Sequence, residues 1–368
     1  MKEGIVINNQ KQQSGDNSTQ IIAQNITIGI DEKRAREIYD EKYEIAKSQF
    51  TQEAIEIAKS RVQELENQFI GKMKKIEGAL ASFADPSTQM LIIEAQKSAA
   101  QSERKSDYEL LSELLLQKHL NKNNRETVSG INRAVKIVHE MSSEALLALT
   151  VIHVMETIMP LTGDIKQGID VFEQMFSKII ESPLPLGSEW VEHAELLGAI
   201  RVIPYQAGLS PLAEVFKKKF EGYVCIGIKI NSEKYDQALK LLDSEILPHD
   251  FLIENTINLG FARLNIPNKE QIGRLSLVHR DYGGDRLVPL SEPQRTALNN
   301  IFSLYDTDPN TMEACVNKFS DEWNKRTTLE RIKNWWPSIS VSIKFTKVGK
   351  VLAHANSQRC ESAIPDLQ

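Results

Sequence analysis

The densest group of residues able to do acid–base chemistry is His279-Arg280-Asp281, within the segment HRDYGGDR. A loop of this kind carries the catalytic aspartate of protein kinases, and that pattern needs an asparagine five residues after the aspartate to bind magnesium. Arg286 stands at that place. No glycine-rich phosphate loop, VAIK lysine or DFG accompanies it, so the segment reads as a loop turning at Gly283-Gly284 with solvated charges. His193-Ala194-Glu195 opens like a zinc deaminase motif, but no PCxxC follows to supply the other ligands, which leaves a helix surface. The sequence holds no HExxH, GxSxG, GxxxxGKS/T or GxGxxG. Cys225, Cys315 and Cys360 are isolated and lack CxxC spacing, which argues for a reducing compartment and against a disulfide scaffold or zinc site. The sequence therefore names no catalytic residue, cofactor or metal ligand. An enzyme or toxin with a dispersed site, around His279, Arg280 and Asp281, ranks third among the readings.

Cations near two turn motifs offer a different chemistry. Trp190–Ile200 reads as a helix ending in a Leu-Gly turn, followed by a strand at Arg201-Val202-Ile203. Ile343–Ala353 reads as a strand, then Thr346 as N-cap, then a helix. The two segments have winged-helix form: glycine turns the chain out of one helix and threonine caps the next. Lys344, Lys347 and Lys350 lie on the second segment, where they could meet phosphates or a partner. Trp335 and Trp336 read as core packing or an interface anchor before a base-stacking platform. A formal net charge of -6 gives no whole-chain field favouring nucleic acid. A nucleic-acid-binding regulator is thus the second reading.

These residues must be positioned by elements that periodicity makes visible. Residues 1–30 form a polar tag with two short strand candidates, Ile5–Ile7 and Ile26–Ile30, around a Gly-Asp-Asn-Ser turn. Ile26, Ile28 and Ile30 share one face. Such a strand has too little core to stand alone, and another copy of itself is the expected partner. From Asp31 the period becomes helical, and Ala58, Val62, Leu65, Phe69, Met73, Ile76 and Leu80 make a seam of near-heptad spacing. Unbroken to Phe83, the helix would run roughly 75 Å. Its stripe suits packing within the chain or between chains, and Ile26, Ile28, Ile30, Val62, Leu65 and Phe69 are the assembly candidates.

Further helices are expected at 86–102, 106–121, 124–140, 142–159 and 164–181. The most apolar stretch, Ala145–Leu161, includes His153 and Glu156 and closes at Pro160, short of the roughly 20 residues that span a bilayer, so it predicts a buried core helix. Ser182–Gly187 reads as a boundary, after which Tyr223–Ile230 and Ile339–Phe345 predict strands. The chain has 368 residues, 41% hydrophobic and 26% charged, as in ordinary globular proteins. With no signal-peptide core at Met1–Asn8, a cytoplasmic protein is expected. The expected architecture is mainly α: a β tag at 1–30, a long helix and helical bundle at 31–182, a smaller α+β region with winged-helix-like elements at 188–356, and a tail at 357–368.

The opening SGDNSTQIIAQNITIGI, the block FADPSTQMLIIEAQKSAAQSERKSDYELLSELLLQKH and the closing FTKVGKVLAHAN together resemble an uncharacterised bacterial protein family. The likeness covers most of the chain and is strongest over 14–160. It brings no activity and no catalytic residue. The tag is similar to those of bacterial conflict and signalling proteins, and the Leu-Gly-Ala-Ile and Thr-x-x-Gly layout is similar to that of abortive-infection-type proteins. The tag and seam, the lack of a catalytic motif and these two likenesses together give the first reading: a homo-oligomeric, non-enzymatic interaction or sensor component of an antiphage defence or stress system. Its partner would be a phage component or the product of a neighbouring gene.

Overall fold

A computed structural model describes residues 32–76, 79–281 and 284–367. The tag, with Ile26, Ile28 and Ile30, lies outside them. The chain divides into two compact units, Met1–Ile57 and Ala58–Gln368. In the first, the described residues are helical, and Ile55 and Ile57 are exposed.

Helix α1 is Glu32–Met73, so it stops ten residues before the expected end at Phe83. A 3-10 stretch at Ala79–Ala84 follows. Three residues per turn do not keep the helical stripe in register, and the seam is broken there. Leu65, Phe69 and Met73 are no more than 4% exposed and share a core with Leu91, Leu111 and Leu114. Burying a side chain of this size is worth about 1.5–3 kcal/mol. Arg61 adds a hydrogen bond from Nη1 to the Ala100 carbonyl, 2.8 Å. This corrects the assembly reading for Leu65 and Phe69, which serve the chain's own core; Val62 is half-buried.

The bundle continues with α2 (Pro86–Gln101), α3 (Lys105–Leu120), α4 (Arg125–Ile137), α5 (Ser143–Thr157) and α6 (Ile165–Ile179). Their ends agree with the sequence reading to within three residues because the caps are explicit. Asp85 accepts from Thr88 N, Ser142 from Ala145 N and Asp164 from Gln167 N. Helix α5 is buried without a break from Ala145 to Met155, as its all-round hydrophobicity requires. No helix among the described residues is long and apolar enough to cross a membrane.

After these come α7 (Glu189–Leu196), β1 (Ile200–Ala207), α8 (Leu212–Lys219), β2 (Ile228–Lys229), α9 (Glu233–Ser244), β3 (Leu252–Glu254) and β4 (Phe261–Leu264). The chain then forms β5 (Ser276–Asp281), β6 (Gly284–Pro289), α10 (Glu292–Phe302), α11 (Pro309–Asn324), α12 (Thr327–Trp335), β7 (Val341–Phe345) and α13 (Lys347–Cys360). The architecture is mainly α with a smaller α+β part.

Two expectations need correction. His279, Arg280 and Asp281 lie on β5, paired with Arg286, Asp285 and Gly284 of β6, so the segment is a hairpin and not an open loop. Of the strand expected at Tyr223–Ile230, only Ile228–Lys229 forms. Tyr223, Val224 and Cys225 are consecutively buried and Gly227 has φ +84, a geometry that an alternating strand does not adopt.

One core runs from α1 through α8 and resumes in α11, α12 and α13, ending at Ile364. It is therefore continuous across Ser182–Gly187 and includes part of the expected tail. A second core occupies residues 225–305, including Ile228, Leu264, Leu298 and Tyr305. Arg263, fully buried, ties the two together: its Nη atoms donate to the carbonyls of Gly222 (3.1 Å), Leu264 (2.9 Å), Ile266 (3.3 Å) and Gly163.

The last helix closes the first core. α13 packs on α3, α4 and α5, and β7 pairs antiparallel with β1, Ile200 opposite Phe345 and Val202 opposite Ile343. Gly198, at φ +71, turns α7 into β1. Thr346 accepts from Gly349 N and donates to the carbonyls of Gly198 and Ala199. The two motifs read separately in the sequence are thus joined through Thr346. Gly349 lies so close that a Cβ there would meet the Ala199 carbonyl at 2.0 Å. Gly349→Ala should lower stability by about 1–3 kcal/mol, read from urea unfolding; an unchanged midpoint would refute this contact as a packing constraint.

Candidate functional site

A cleft of about 730 Å³ opens where α5 ends, α8 ends, and the 3-10 turn Lys269–Arg274 approaches β7. This volume lies in the range of small-molecule sites. Its chemistry centres on Lys219, the last residue of α8. The helix turns Leu212, Phe216 and Lys219 to one buried face, so the lysine occupies a position that periodicity assigns to a hydrophobe. Lys219 Nζ donates to the carbonyls of Val154 (3.1 Å) and Met155, in the last turn of α5. It also lies 5.3 Å from the Phe172 ring centroid and 5.5 Å from that of Phe220. A cation at a helix C-terminus and over ring faces is favourably placed. Burial nonetheless pushes its ammonium down to about 7, against the opposing pull of Glu156.

Glu156 closes α5 at the edge of the cleft. Its side chain is open to solvent, but the surrounding walls crowd the carboxyl and hold it above the ordinary carboxylate range, with Lys219 and Lys350 pulling the other way. Across the cleft, Asn268 caps the 3-10 turn, accepting from Glu270 N, and donates to the carbonyls of Lys218 and Lys219 at 2.9 Å each. The turn therefore carries Glu270 and Arg274 at a fixed place beside α8. Glu214 is tied to Lys217 at 2.8 Å. Lys218, Arg274, Glu156 and Glu270 form no ion pair among the described residues, although all four line the same cleft.

Behind the floor lie two buried histidines. His153 Nε2 is 3.2 Å from His354 Nδ1, joining α5 to α13. Burial, then the neighbouring His354, Lys350 and Lys219, pushes His153 down to about 3, and burial also lowers His354. Both rings are neutral near pH 7, one donating to the other, so the pair is a polar link within the core. Among the described residues no three His, Cys, Asp or Glu side chains cluster as a metal site would require.

The sequence-derived candidates fall elsewhere. Trp335 and Trp336 are buried, donating from Nε1 to the Pro185 and Ser210 carbonyls at 2.7 and 2.9 Å. They are core anchors, the first of the roles read for them in the sequence, and their alternative as contact residues is corrected; Trp336 also backs one wall of the cleft. Lys344, Lys347 and Lys350 are exposed, Lys347 standing 3.8 Å from Glu126. The cleft residues were missed. A usable signal existed in the lysine on the apolar face of α8 and in the lone glutamate within the chain's most apolar stretch.

A model of an uncharacterised protein family matches residues 29–367. No curated protein and no solved structure matches the chain.

The protonation of Lys219 gives a test. In the unfolded chain it titrates near 10.5 and in the folded protein near 7. Between these values the unfolded state holds the extra proton, so raising the pH favours folding. The wild type should gain stability from pH 7 to pH 10 relative to Lys219→Met, measured by urea unfolding at each pH. Equal slopes for the two proteins would contradict the assignment.

Proposed function

The chain belongs to an uncharacterised protein family, and on that footing we propose that it is a non-enzymatic sensor that holds a small polar ligand in the cleft. The observation that carries this reading is the set of charges lining it. Among the described residues, Lys218 and Arg274 form no ion pair, nor do Glu156 and Glu270 in the same concavity. Opposite charges left apart in a cleft suit a ligand that carries both an acidic and a basic or donor group.

Binding fits better than catalysis because the groups with the most displaced protonation are already committed. Lys219 is bonded to two carbonyls, and the His153–His354 pair is sealed in the core. A general acid or base needs reach to a substrate and a pKa near the working pH. The histidines meet neither condition. The role in a bacterial defence or stress system rests on the resemblance of the sequence, and the cytoplasmic location on its isolated cysteines; both are part of the same proposal.

Thermal melts against amino acids, dipeptides and nucleotides test the cleft. A ligand at a hundred times its Kd stabilises by about 2.7 kcal/mol, a shift of several degrees. Lys218→Glu combined with Arg274→Glu should abolish that shift. A compound that stabilises the variant equally binds elsewhere, and a panel without any shift rejects the reading.

Assembly is proposed from Ile26, Ile28 and Ile30 alone, since Leu65 and Phe69 are occupied within the chain. Light scattering should give the full chain a multiple of the monomer mass, and a chain starting at Asp31 the monomer mass. Two monomers at micromolar concentration would end this part of the proposal.

A further inference from the structure

We propose that the β1–β7 ribbon and the first turn of α13 dock single-stranded nucleic acid, with Tyr205 stacking on a base and Arg201, Lys344 and Lys347 meeting phosphates. The inference concerns a surface separate from the charges assigned to the cleft ligand.

Three local features point the same way, and each is unfavourable for the isolated protein. Arg201 lies directly opposite Lys344 in the antiparallel register. Residues so paired have Cα atoms about 4.5–5.5 Å apart, and like charges there repel. Both side chains are exposed, and neither has an ion pair among the described residues. The ribbon also loses its pairing between Val202 and Ala207, and within that interruption Tyr205 adopts φ +65 with its side chain fully exposed, at 107%. A bulge re-aims side chains, and a non-glycine residue in the left-handed region costs about 1–2 kcal/mol. Finally, Lys347 and Lys350 occupy the first turn of α13, beside the positive end of the helix dipole.

The acidic neighbours do not cancel this charge. Glu195 keeps its charge but is held by Val202 N at 2.7 Å and makes no ion pair with Arg201 among the described residues. Glu126 reaches Lys347 only at 3.8 Å, with both side chains largely in solvent, where such a pair contributes little. Lys350 is drawn toward Glu156, so it is left out of the contact set.

A phosphate backbone reverses the sign of each unfavourable term. It screens Arg201 from Lys344, neutralises Lys347, and is attracted by the helix N-terminus that repels the lysines. An acidic protein would satisfy the cations equally well and could also pack on the ring, so it is the rival occupant that the test must exclude. Bases stack on aromatic side chains without sequence preference, and only unpaired bases offer a free face. A displayed ring beside cations therefore favours single strands over duplex.

The test is fluorescence anisotropy of the full chain with fluorescein-labelled dT20. Three phosphate contacts predict that log K falls against log salt with a slope of about −2. Arg201→Glu with Lys344→Glu should weaken binding at least tenfold. Tyr205→Ala should weaken it roughly five- to a hundredfold, and Tyr205→Phe should leave it intact. Lys218→Glu, in the cleft, should leave it unchanged. All four sites are exposed, and matching thermal melts would establish that the variants fold. Absence of binding at 50 mM salt would overturn the proposal. So would a duplex or poly-glutamate that binds as tightly as dT20, indifference to Tyr205→Ala, or a loss on Lys218→Glu.

Discussion

A single guanidinium holds the two cores in register. Arg263 is fully buried and faces four carbonyls, one from the segment before α6, one from the turn after α8 and two from its own strand end. A buried charge without a carboxylate is costly unless it is hydrogen-bonded, and here both Nη atoms are bonded while Nε has no partner among the described residues. The Tyr223 ring lies against the guanidinium with its hydroxyl bonded to Thr162, which extends the same joint. Everything the second core presents to the first, including Asn268 and the turn bearing Glu270 and Arg274, is placed through this connection.

The cleft is a product of that joint. Its two sides come from different cores, and the Asn268 side chain fastens them through the Lys218 and Lys219 carbonyls. A wall assembled in this way keeps unpaired charges apart, because the backbone is fixed before the side chains can approach one another. The β1–β7 ribbon repeats the pattern on the surface, with like charges opposed and a tyrosine displayed. Natural sequences are locally consistent in most places, and departures gather where something other than stability is selected.

Much of the fold was legible because its punctuation is chemical. Asp85, Ser142, Asp164 and Thr346 announce their helices through side-chain oxygens that accept from the backbone three residues on. The heptad-like stripe was visible too, but periodicity states only that a face is apolar. It is silent on whether Leu65 and Phe69 meet their own chain or a copy. The strand misread at Tyr223–Ile230 arose because β-branched content cannot distinguish a strand from a buried turn packed among Phe220, Phe319 and Arg263. The tryptophans shared this ambiguity: an indole suits an interface or a core, and only the carbonyls of Pro185 and Ser210 decide. The cleft was hidden for a different reason. Glu156, Lys219 and Arg274 are distant in sequence, and no spacing relates them.

His153 and His354 touch across 201 residues of chain. The helix carrying His354 is the piece that packs on α3, α4 and α5, so these helices leave the ribosome long before their central partner exists. At about 5–20 residues per second, the gap amounts to roughly 10–40 seconds of synthesis. Throughout it, the apolar faces that α13 later covers have nothing of their own to bury against. A bundle arranged this way is vulnerable during translation until α13 has emerged, and its demand on chaperones is set by how far behind its partner helices α13 is written.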